Sequence, residues 1–143
     1  MLNQLQFTSP GTSRELKNSG ICKKASYYWR RLNNKFVLIP QEKTFFVPGV
    51  LFTATFSLAE LGEMIPWGFF QDVIVHKMPG GIWQVKLSDG RMHSFALEVE
   101  ARGYYLVDII RSGKVKADEI NHPENYNPIL PSGKVAPIKK QSL

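Results

Sequence analysis

Residues 71–113 read QDVIVHKMPGGIWQVKLSDGRMHSFALEVEARGYYLVDIIRSG, and this stretch decides the fold. Val73, Val75, Trp83, Val85 and Leu87 alternate with Asp72, Ile74, His76, Gln84 and Lys86, the period of two expected of half-buried strands. Pro79-Gly80-Gly81 separates the first two runs and Asp89-Gly90 closes the second, so the segment predicts a three-stranded antiparallel meander with one apolar face. With Gly80 at the centre of the first hairpin, Val75 faces Val85 and Lys77 faces Trp83. A two-residue turn at Asp89-Gly90 then sets Met92 opposite Leu87 on the core face and His93 opposite Lys86 on the other.

From Ser94 the period changes. Val99, Tyr105, Leu106, Ile109 and Ile110 form one wide helical stripe, Glu98 and Glu100 stand near its start, Arg111 near its end, and Gly113 supplies the stop. A helix from Ser94 to Gly113, laid on the apolar face of the meander, is the expected centre of the domain.

Upstream, Ser57-Leu58-Ala59-Glu60 is a capping box that opens a short helix with Leu58, Leu61 and Ile65 on one side, and Pro66 stops it. Gly62 inside that helix costs up to about 1 kcal/mol against Ala, which points to close packing on another backbone. Thr12-Ser13-Arg14-Glu15 fits a second capping box, for a helix of about two turns ending at Gly20. Between the two helices, Tyr27-Tyr28-Trp29 and Phe36-Val37-Leu38-Ile39 flank Asn33-Asn34, a hairpin pattern because Asn tolerates positive φ. Phe45, Phe46, Phe52, Phe56, Phe69 and Phe70 fall in one stretch expected to hold much of the core.

The predicted architecture is a small single α+β domain in which antiparallel meander and hairpins pack against one long C-terminal helix, with two short helices besides. It spans residues 12–113. Residues 1–11, ending in Pro10-Gly11, are expected as a flexible lead, and residues 114–143 as a Pro- and Lys-containing flexible tail with too few aliphatics to order itself.

At 143 residues the chain buries enough surface to need neither disulfide nor structural metal, and its lone Cys22 excludes an internal disulfide and a cysteine zinc cluster. No charged n-region followed by an apolar h-region stands at the start of these residues, so a secretory leader is not expected. The longest uncharged run, Thr44 to Ala59, is broken by Pro48 and Gly49 and is too short to span a bilayer, so a soluble intracellular protein is expected. The net charge of +6 is localised. Residues 1–43 hold eight Lys and Arg against two Glu, residues 44–113 five against seven acids, and residues 114–143 five against three. Such a one-sided field suits phosphate backbones or acidic protein faces.

Catalytic patterns are thin. On the expected register His76 and His93 share a face but are separated by a strand bearing Gln84 and Lys86, about 9–10 Å apart, too far for common zinc ligation. His122 lies away from both. Lys23-Lys24 would acidify an exposed Cys22, yet no histidine is placed as its base, and Ser94 follows His93 directly, so the two point to opposite faces. Glu60 is explained by its cap rather than as half of a pair with Glu63. No phosphate-binding glycine motif occurs. The chain is therefore expected not to be an enzyme and to hold no metal and no small-molecule cofactor.

The segment Lys23 to Lys35, KKASYYWRRLNNK, carries the binding signal. On a strand Tyr27, Trp29 and Arg31 share one face and Tyr28, Arg30 and Leu32 the other. Rings mixed with guanidinium groups suit single-stranded nucleic acid, where bases stack and arginines hold phosphates, and equally suit protein hot spots rich in Trp, Tyr and Arg. The structural alternative is an edge hairpin with Trp29 in the core and solvated arginines. Lys23, Lys24, Tyr27, Tyr28, Trp29, Arg30, Arg31 and Lys35 form the expected partner-binding set.

Three segments in order, Ser13-Arg14-Glu15-Leu16 on through Gly20-Ile21 to Tyr28-Trp29, then Ser57 to Pro66 (SLAELGEMIP), then Glu100-Ala101-Arg102, resemble a family of small phage- and prophage-borne proteins to which no activity is attached. The resemblance covers residues 12–113. Gly103-Tyr104-Tyr105 and the Pro-rich tail depart from it. It implies the cytoplasm of a bacterial host, no membrane association, and a host or phage protein as partner, with inhibition of a nucleic-acid-binding or defence protein (anti-CRISPR-like) as one mode. Direct binding of single-stranded RNA or DNA is the alternative.

Overall fold

Asn33 and Asn34 adopt left-handed φ values of 47° and 67°, the tight turn whose twist matches the strands it joins. They connect β1 (Tyr27–Leu32) to β2 (Lys35–Pro40), with Leu32 opposite Lys35 and Trp29 opposite Leu38. In the computed structural model, which describes residues 3–44, 50–65 and 75–125, β3 (Phe52–Thr55) pairs with the other side of β1. The sheet order is β2-β1-β3. The Tyr-Trp strand is thus central rather than part of an edge hairpin.

The second sheet is the expected meander, β4 (Val75–Lys77), β5 (Trp83–Lys86) and β6 (Met92–Phe95). Its first hairpin has the expected register, Val75 opposite Val85 and Lys77 opposite Trp83. The second does not. The Gly90 N–H donates to the Leu87 carbonyl (3.0 Å), the Leu87 N–H to the Arg91 carbonyl (3.2 Å), and Gly90 has φ 81°, so the turn holds three residues, not two. Met92 therefore faces Lys86 and His93 faces Val85. A one-residue slip exchanges faces, which is why Met92 is exposed instead of lying in the core.

Helix α1 (Pro10–Asn18) begins a turn earlier than the Thr12 box implies. Ser9 is the cap, its Oγ accepting the Thr12 N–H at 3.2 Å, and Pro10 occupies the first helical position, where no N–H is needed. Glu15 consequently closes no box and instead pairs with Arg111. Helix α2 (Leu58–Met64) has the expected reciprocal Ser57–Glu60 cap. Leu61 and Ile65 are buried, but Leu58 is exposed. Helix α3 (Glu98–Arg111) starts later than Ser94 because 92–95 form β6, and a short α4 (Ala117–Asn121) follows.

The core joins Leu16 of α1, Leu61 of α2, Val85 of β5 and Leu106 and Ile109 of α3, all fully buried. Helix α3 packs against α1, α2, β5 and β6, so it is the wall shared by both halves of the molecule. Phe56 is buried here as well, whereas Phe45, Phe46, Phe69, Phe70, Pro66 and Val73 lie outside the described residues.

The packed unit is larger than residues 12–113. Phe7 bridges to Ser57 and Thr8 is fully buried, so residues 7–11 are structural rather than a flexible lead. Val115 and Ile120 join the core, and the Asn121 side chain accepts the Cys22 N–H (2.8 Å) and donates to the Gly20 carbonyl (2.9 Å). The stretch 126–143 lies outside the described residues.

Close backbone packing occurs at a different glycine from the one expected. A Cβ on Gly62 would meet open space, but one on Gly103 would lie 2.8 Å from Thr12 Cγ2 and 3.2 Å from Thr8 Cγ2. Both neighbours are β-branched and stiff. Gly103→Ala should therefore destabilise the fold by about 1–3 kcal/mol despite Ala's better helix propensity. Gly62→Ala should be neutral to stabilising. Urea midpoints of the two variants test the contrast, and equal midpoints would contradict the close approach of α1 to α3.

Candidate partner-binding groove

Helix α1 is fixed to α3 at several points along its length. At its N-terminus Glu100 accepts the Ser9 N–H, the Ser9 hydroxyl (3.3 Å) and the Thr12 hydroxyl. A carboxylate there meets free amides and the positive end of the helix dipole. Thr12 then packs on Gly103, and Glu15 reaches Arg111. The two helices run in the same direction, and α1 presents Arg14 and Lys17 on its outer side, one turn apart.

Beneath α1 the sheet is pinned by a buried hydroxyl cluster. The Thr8 carbonyl accepts from Trp29 Nε1 (2.8 Å) and from the Thr55 hydroxyl (2.7 Å), while Thr8 Oγ1 pairs with Ser13 Oγ (2.7 Å) and accepts the Phe56 N–H (3.2 Å). Trp29, only 4% exposed, is held by its ring nitrogen and touches Phe36 edge-on, with ring centroids 6.4 Å apart. Its side chain is floor, not contact surface.

Above that floor is a groove of about 480 Å³ lined by Arg14 and Lys17 of α1, Arg30 and Arg31 of β1, Phe36 of β2 and, among others, Leu51 before β3. Arg31 donates to Asn34 Oδ1 (3.3 Å), whereas Arg30, next along the strand, lines the groove by its backbone and points to the other face, its guanidinium 6.0 Å from the centre of the ring of its cross-strand partner Phe52. None of these four cations forms an ion pair among the described residues. An anion entering the groove would meet unneutralised charge beside apolar surface.

The expected binding set is only partly gathered here. Arg30, Arg31 and the buried Trp29 line the groove. Tyr27 is edge-on to Phe7 with centroids 5.1 Å apart, and the Tyr28 hydroxyl accepts the Ala25 N–H (3.3 Å) while its ring packs on the core. Lys23 and Lys24 line a separate, small recess with Glu60 and Glu63. Lys35 is exposed at the hairpin end, opposite Leu32. Arg14, Lys17, Phe36 and Leu51 were not in the expected set. The first two were legible as an i, i+3 cationic pair once α1 was placed.

The register also separates His93, in the row of Val75 and Val85, from His76, in the row of Gln84 and Ser94. His93 Nε2 instead lies 2.9 Å from Asp89 Oδ2, and the Arg91 backbone N–H together with the His93 ring holds the Asp89 carboxyl below its usual value. Among the described residues no three His, Cys, Asp or Glu side chains converge as metal ligands, and no helix is long and apolar enough to cross a membrane. Comparison with protein-family models, with curated proteins and with solved structures finds no match to this chain.

Proposed function

We propose that the chain is a non-catalytic binding module of the phage or prophage kind that captures an anionic face of a macromolecular partner in the Arg14–Lys17–Arg31 groove. It would act by occupying that face, as an inhibitor of a nucleic-acid-binding or defence protein does. The observation that carries this reading is the convergence of three cations, Arg14, Lys17 and Arg31, from two elements on one groove, with no counter-ion among the described residues.

A protein partner is favoured over single-stranded nucleic acid by the fate of the rings. Base stacking needs exposed aromatic faces, but Trp29 is buried, Tyr27 packs on Phe7 and Tyr28 packs on the core, which leaves Phe36, 36% exposed, as the one ring lining the groove that a base could reach.

The double change Arg14→Glu, Arg31→Glu tests the groove. The wild type should bind labelled oligoglutamate at about 50 mM salt, and the variant should lose at least tenfold in affinity with an unchanged circular dichroism spectrum. Equal binding by both proteins would place the site elsewhere. An oligothymidylate that bound far more tightly than oligoglutamate of equal charge, with a steep salt slope of about −0.7 per phosphate contact, would favour the nucleic-acid reading instead.

A further inference from the structure

The groove is not uniformly polar, and its apolar part narrows the partner. Val50, Leu51 and Phe36 line the same cavity as Arg14, Lys17 and Arg31. Leu51 is 69% exposed and Phe36 is 36% exposed, so neither side chain is required to be fully buried by the fold. An isolated exposed leucine is ordinary. Two large apolar side chains on the wall of a concave site ringed by arginines are the arrangement seen at protein hot spots, where an apolar anchor is buried and charged groups fix its register.

The geometry points to an extended acidic protein segment that also carries large apolar side chains, its carboxylates on Arg14, Lys17 and Arg31 and an apolar residue seated against Leu51 and Phe36. This rests on the groove reading above and goes beyond it by requiring two kinds of group in the occupant. Charge complementarity supplies the acids, since the guanidinium fork matches a carboxylate. The aliphatic wall supplies the rest. Leu51, the more exposed of the two, has no flat π face on which a base can stack, whereas a Leu or Phe from a peptide would bury it directly.

Anisotropy titrations with three labelled probes separate the possibilities: a short peptide alternating Glu with Leu and Phe, an oligoglutamate of equal charge, and an oligothymidylate. The mixed peptide should bind most tightly. Leu51→Asn, at a position too exposed to matter to folding, should weaken the mixed peptide by about tenfold and leave oligoglutamate unchanged. Arg14→Glu with Arg31→Glu should weaken both. If oligoglutamate binds as tightly as the mixed peptide and Leu51→Asn is silent, the groove reads charge alone and the inference is overturned while the groove reading stands. Preferential binding of oligothymidylate overturns the inference in favour of nucleic acid. Failure of the folded wild type to bind any of the three overturns the groove reading and this inference together.

Discussion

Trp29→Ala is expected to destabilise the fold severely rather than merely blunt binding. The ring is almost fully buried, forms the floor beneath α1, and donates from Nε1 to the Thr8 carbonyl at 2.8 Å. Removing a buried Trp costs about 3–5 kcal/mol through lost apolar contact and the cavity left behind. That is a large share of the ~5–15 kcal/mol by which domains are usually stable. Trp29→Phe should cost less, because it keeps most of the ring and the Thr8 carbonyl still accepts the Thr55 hydroxyl. Neighbouring Arg31→Ala, on an exposed side chain, should move stability by no more than about 0.5 kcal/mol. Urea midpoints for the three variants would show a steep loss, an intermediate one and almost none. A wild-type midpoint for Trp29→Ala would mean that the ring is surface after all.

That contrast shows what the sequence could and could not disclose. Alternation along Tyr27 to Leu32 states which residues share a face, but it does not state which face is covered. Coverage of the Trp29 face depends on Thr8 and α1, and Thr8 belongs to a stretch whose Pro10-Gly11 suggested a loose lead. Pro10 is in fact the first helical residue behind the Ser9 cap. Ser9, three positions before Thr12, is the cap because its hydroxyl accepts the Thr12 N–H, while the Thr12 hydroxyl turns to Glu100 on α3, a tertiary partner that local sequence does not announce.

Turn chemistry was legible at most of its positions. Asn33-Asn34 and Gly80 set their hairpins as read, and Ser57 with Glu60 capped α2. The second meander turn was misread because Asp89-Gly90 suits a two-residue turn, while the structure uses Ser88 as well and places Gly90 in the left-handed position of a three-residue loop. The groove was less legible still. Arg30 and Arg31 stood out by composition, but their companions come from α1, β2 and the approach to β3, and only tertiary pairing brings those segments together.

Glu100→Ala should produce the second large loss, and a less local one. The carboxylate accepts one backbone N–H and two hydroxyls at the start of α1. Hydrogen bonds to a charged group are each worth about 1.5–3 kcal/mol, and the favourable helix-dipole position adds several tenths, so a net cost of about 2–4 kcal/mol is expected once solvent replaces part of the set. Glu100→Gln, which keeps an acceptor oxygen but loses the charge, should fall between Ala and wild type. The effect should not be confined to stability. Helix α1 carries Arg14 and Lys17, and with its N-terminal anchor gone it remains held by Leu16, by Ser13 on Thr8, by the packing of Thr12 on Gly103 and by the exposed Glu15–Arg111 pair, which is worth little by itself. Amide exchange in α1 should therefore quicken more than in α2, and acidic probes should bind more weakly even under conditions where Glu100→Ala remains folded. Arg102→Ala supplies the control: it removes the partner of Glu98, 2.7 Å away on the same helix, and touches neither α1 nor the groove. If Glu100→Ala and Arg102→Ala change α1 exchange and probe affinity alike, α1 does not depend on its carboxylate anchor, and the groove's cations are placed by some other contact.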